Sequence, residues 1–88
     1  MTIVEAKTII ELLDKQFDSH EFIRRFIYTY PSSYGELLQK YNNVSTAHGE
    51  IANFLRRNAG ELNIERLDKE ESNNILGTES LNVQWGKR

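Results

Sequence analysis

The stretch SYGELLQKYNNVSTAHGEIANFLRRNA, residues 33–59, decides the fold. Ser33 and Glu36 have the spacing of a capping box, in which a hydroxyl and a carboxylate satisfy each other's orphan backbone N–H groups. Behind that start, Tyr34, Leu37, Leu38 and Tyr41 fall at i, i+3, i+4 and i+7, one buried stripe of a helix. Asn42-Asn43-Val44-Ser45 interrupts the pattern. Asparagine tolerates the left-handed backbone that ends helices. Val44, the one apolar residue of this connection, is expected to plug the angle between two helices. Ser45 or Thr46 is expected to cap the second helix, which runs to about residue 59 with Ala47, Ile51, Phe54 and Leu55 inward. Gly60 is placed to end it.

After this helix pair the hydrophobic period changes from about 3.6 to 2. Leu62, Ile64 and Leu67 alternate with polar residues, as do Leu81, Val83 and Trp85. The two runs predict antiparallel strands, with Trp85 as an inward anchor. Between them, residues 68–80 read as a long loop whose Ile75 and Leu76 are expected to tuck back. Gly77-Thr78 reads as a turn.

Upstream, Thr2 and Glu5 predict a capped first helix over residues 2–15. Ala6, Ile9, Ile10, Leu13 and Phe17 follow helical spacing. Asp18 and Glu21 form another capping box, opening a helix whose core stripe is Phe22, Ile23, Phe26, Ile27 and Tyr30. Arg24, Arg25 and Tyr28 fall toward solvent, and Pro31 breaks the chain before the helix at 33. The expected fold class is α+β, mostly helical, as a single domain over residues 1–88 with an extra N-terminal helix and a C-terminal β-hairpin.

Composition narrows the function. At 88 residues, 39% hydrophobic and 27% charged, the chain has the make-up of one small globular domain. The absence of cysteine excludes disulfides and thiolate metal sites and favours a reducing, cytoplasmic location. No apolar run approaches the ~18–20 residues of a membrane span. Glu5, Lys7 and Glu11 interrupt the N-terminal pattern, unlike a signal peptide. The formal charge of −2 is unlike the usual basic nucleic-acid-binding domain, so any such role depends on where charge is placed.

On a helical wheel with Ile51 at the core, Thr46, Gly49, Asn53, Arg56 and Arg57 share the outward side of the 46–59 helix, with Glu50 at its edge. Arginine can grip guanine O6 and N7 in a fork, and asparagine does the same to adenine N6 and N7. Gly49 costs roughly 1 kcal/mol of helix propensity relative to alanine, and its missing side chain admits a close approach. The bland reading of this face is a solvated helix surface. Lys40, beside the turn, joins the candidate set. Arg24 and Arg25 read as a solvated pair.

His48 flanks the buried stripe and is expected to be a hydrogen-bonded structural residue, and neither histidine has ligand partners at metal spacing. Ser45, His48 and Glu50 are too close on one helix to converge as a catalytic triad. With no glycine-rich phosphate loop, neither an enzyme nor a cofactor is expected.

The order from about Asp18 to Arg88 resembles winged helix-turn-helix DNA-binding domains. The 33–41 helix matches the supporting helix, 46–59 the recognition helix, and the alternating runs the wing. The resemblance implies duplex DNA as partner, transcription regulation or a related accessory role, and base or phosphate contacts from Thr46, Asn53, Arg56 and Arg57. The chain departs from the family at the wing, where Asp68, Glu70, Glu71 and Glu79 outnumber Lys69. Such a wing points away from DNA, or the fold serves protein–protein interaction through it or through the first helix. The first helix, with Ile3, Val4 and Leu12 beside its main stripe, is the expected homodimer element.

Overall fold

The computed structural model describes residues 1–67 and 83–88. Among these residues, five helices and three strands follow in the order α1 (Ile3–Leu12), β1 (Gln16–Asp18), α2 (Ser19–Thr29), α3 (Pro31–Tyr41), α4 (Val44–Arg57), α5 (Ala59–Leu62), β2 (Ile64–Arg66) and β3 (Gln84–Lys87). The fold is α+β and mostly helical, with one small antiparallel sheet of order β1-β3-β2. The acidic stretch between the last two strands, the expected tuck of Ile75 and Leu76, the Gly77-Thr78 turn and Leu81 lie outside the described residues.

Local chemistry starts the first two helices as expected. Thr2 and Glu5 close one capping box and Asp18 and Glu21 another, each with both reciprocal hydrogen bonds made. Between them the sequence expectation needs correction. Helix α1 stops at Leu12, and Phe17 sits on a strand, not on a helical stripe. Phe17 faces Trp85 across the β1–β3 ladder, and both are almost wholly buried. Phe17 stands four residues beyond Leu13 and seven beyond Ile10, so a helical spacing and a turn into a strand look alike in the sequence. The pairing with β3 chooses between them.

The helix pair also starts differently. Helix α3 begins at Pro31, whose missing N–H costs nothing in a first turn. Its N-cap, Tyr30, makes no side-chain cap bond. Ser33 therefore lies inside the first turn, and its hydroxyl donates to Glu5 Oε2 at 2.7 Å, tying α3 to α1. Helix α4 starts at Val44, earlier than expected, because Asn43 accepts from the Thr46 backbone N–H at 2.8 Å. Ser45 and Thr46 are thus within the helix, and Val44 is 55% exposed on its first turn instead of plugging the angle. Gly60 does not terminate the helical run. The chain goes on through the single turn α5, which removes Leu62 from the strand, and Asn63 in the left-handed region (φ 59°) ends it.

The core forms where α1, α2 and α4 close over the inner face of the sheet. Ala6, Ile9, Phe22, Phe26, Ile51 and Leu55 pack with Phe17, Ile64 and Trp85. Trp85 carries a polar edge inward, and Ser19 meets it. The indole Nε1–H donates to Ser19 Oγ at 3.2 Å, and that hydroxyl donates to the Val83 carbonyl at 3.4 Å. Lys87 reaches the other end of the sheet and donates to the Leu13 carbonyl at 2.7 Å, fastening the exit of α1. On the outer face Leu67 lies over Gly86, 3.2 Å from where a Cβ would stand. Helix α3 is the outlying element. Tyr34 and Leu37 reach the core, but none of its residues is fully buried.

Candidate nucleic-acid interface

Helix α4 buries one side, Ala47, Ile51, Ala52 and Leu55, against its neighbours. Asn42 ends α3 in the left-handed conformation (φ 54°), Asn43 caps α4, and these two residues form the whole turn. Tyr34 braces the angle. Its hydroxyl lies 2.7 Å from His48 Nε2, its ring packs on the imidazole at 5.7 Å, and it meets Phe26 edge-on. His48 is thus the hydrogen-bonded structural residue its position implies. Burial, and then the neighbouring charge of His20, lower its pKa from 6.5. That neighbour comes from the start of α2, twenty-eight positions upstream, and no spacing pattern announces it.

The outward side carries the expected residues. Thr46, Arg56 and Arg57 are exposed, and Gly49, Glu50 and Asn53 are half-buried. The Arg56 guanidinium donates to Asn53 Oδ1, one turn before it on the helix. A Cβ at Gly49 would have nothing within 4 Å, so this glycine is not required by the chain's own packing. At the edge of this face Met1 lines a groove together with Glu50, Phe54 and Arg57. Lys40 is exposed in the last turn of α3, its ammonium 5.4 Å from the Tyr41 ring centroid, a cation–π contact. Lys40 and Arg57 meet at a groove of about 140 Å³ between α3 and α4, where Glu50 sets a carboxylate among them.

Two features divide the face. Its C-terminal end holds both arginines, where cations also complement the helix dipole. Its N-terminal half offers Thr46 and Gly49, one small and one absent side chain, on which another surface can close. Among the described residues no three metal-ligating side chains gather. Among them, too, no helix is long and apolar enough to cross a membrane. Comparison with family models, with curated proteins and with solved structures finds no match to this chain. What the fold and the face define is a small α+β protein whose helix α4 is basic at its C-terminal end and braced by its predecessor.

Proposed function

We propose that the chain binds duplex DNA through α4, as a small cytoplasmic regulator of transcription or an accessory of a DNA-handling system. The observation that carries this reading is the outward side of α4, where exposed Thr46, Arg56 and Arg57 stand with half-buried Gly49 and Asn53. The helix pair with its tight turn, followed by antiparallel β2 and β3, supports a winged helix-turn-helix arrangement. Recognition helices of this kind read base edges with their N-terminal residues. Thr46, Gly49 and Asn53 accordingly face the groove, while Arg56, Arg57 and Lys40 grip phosphate. With so few phosphates neutralised, one module binds weakly and function calls for a second copy. Helix α1, with Val4 72% and Leu12 51% exposed, is part of the surface that meets it.

Fluorescence anisotropy on a random duplex at low salt tests the reading. Binding is expected to weaken steeply as salt rises. An Arg56→Ala, Arg57→Ala variant is expected to bind weakly to all sequences alike, with the salt slope reduced by about 2. No binding at low salt turns the reading toward its rival, a protein-interaction module of the same fold, for which the exposed apolar residues of α1 speak.

A further inference from the structure

An open groove of about 590 Å³ runs between the α1–β1 connection and the outer side of α2, with no residue of α4 in its lining. The α2 wall is a single stripe, Glu21, Arg24, Arg25 and Tyr28, at i, i+3, i+4 and i+7. The opposite wall brings Leu12 and Asp14. Tyr28 is 81% exposed and Leu12 51%, a large aromatic and a large aliphatic residue left in water on either side of the groove.

The charges in this groove are balanced and separated. Glu21 stands one turn before Arg24 and Arg25 on the α2 wall, and Asp14 is on the opposite wall, two acids to two bases. A nucleic acid would meet the two carboxylates, and a strongly acidic or strongly basic partner would be repelled by half the lining. A surface that carries acid and base one helical turn apart is complementary to itself turned through a two-fold axis, the isologous contact in which residue i meets j and j meets i. Glu21 and Arg25 are separated by about 6 Å along the axis at 1.5 Å per residue. With the two-fold level with their midpoint, Glu21 of each copy opposes the partner's Arg25, and two antiparallel α2 helices form both pairs at once. Tyr28 then projects beyond each pair and joins Leu12 as the apolar area the charges border. Exposed tyrosine and arginine side by side are the residue types that carry interface energy once desolvated.

We infer that the occupant of this groove is a second copy of this chain, docked α2 against α2 about a two-fold axis. The inference rests on the dimeric part of the proposed function and moves its seam from the length of α1 to the α1–β1–α2 groove. No α4 residue lines the groove, so the seam does not use the residues proposed to meet DNA.

Sedimentation equilibrium of the full chain without nucleic acid is the test, so that a failure of dimerisation and a failure of DNA binding are read separately. The wild-type chain is expected to show a concentration-dependent dimer that loosens with salt. Tyr28→Ser and Arg24→Glu/Arg25→Glu are each expected to raise the dimer dissociation constant about tenfold or more. These side chains are exposed and their replacement leaves the fold intact, which circular dichroism checks. The acidic chain mixed with an Asp14→Lys/Glu21→Lys chain is expected to recover a heterodimer that neither forms alone. Should loss of the Glu21 cap unfold that second chain, the Tyr28 and arginine variants decide by themselves. A wild-type chain that stays monomeric at its highest soluble concentration overturns the inference, as does a dimer indifferent to Tyr28 and the arginines.

Discussion

Ser19 is the residue that lets Trp85 be buried. The indole carries a donor into the core, and one hydroxyl both accepts it and passes a hydrogen bond to the Val83 carbonyl. Ser19→Ala leaves a buried N–H unpaired and is expected to cost about 1–3 kcal/mol, read as a lower urea midpoint at unchanged slope. His48 makes stability depend on pH. Its folded-state pKa lies below the unfolded 6.5, so the unfolded chain takes up a proton first as pH falls. Stability from the neutral imidazole is complete above 6.5 and is lost as pH drops from there through the lowered value. A His48→Gln variant is expected to flatten that part of the pH profile in denaturant titrations. Spacing marks His48 as a flanking residue and Trp85 as an inward one, but their partners Tyr34 and Ser19 lie 14 and 66 positions away in the chain. No local rule joins them.

At the scale of elements, the starts of α1 and α2 were legible because a capping box is closed within four residues. The starts of α3 and α4 were read too late. Pro31, read as a break, opens α3, and Asn43, read as part of the connection, caps α4 in place of Ser45 or Thr46. Strand β1 was not legible, for three residues pair only where β3 arrives. The correction at Val44 has a measurable consequence. Val44→Thr is expected to change stability by less than about 0.5 kcal/mol, whereas a plug between helices would cost several-fold more. Gly49 separates packing from function. Gly49→Ala finds empty space around the new methyl and is expected to stabilise the chain by about 0.5–1 kcal/mol in thermal or urea unfolding. If a duplex closes on this turn, the same change weakens binding in the anisotropy titration.

For the whole molecule, the middle strand is the last in the sequence. Strand β3 lies between β1 and β2, so truncation after Asn82 removes the centre of the sheet along with Val83 and Trp85. Such a chain is expected to be unfolded by circular dichroism, and the emission of the single tryptophan in the intact chain is expected to shift in step with loss of helix, as one cooperative unit. By itself the sequence determined the class, α+β and mostly helical, the apolar stripes of α2 and α4, and the outward placement of Thr46, Arg56 and Arg57. These are consequences of period, capping and turn chemistry, which act within a few residues. Tertiary structure alone decided that Phe17 becomes a strand residue, that the sheet runs β1-β3-β2, that Tyr34 locks onto His48, and that Leu12 and Tyr28 share one groove. Those outcomes depend on which distant surfaces meet, and the free energy of burying them together overrides the nearly equal local alternatives.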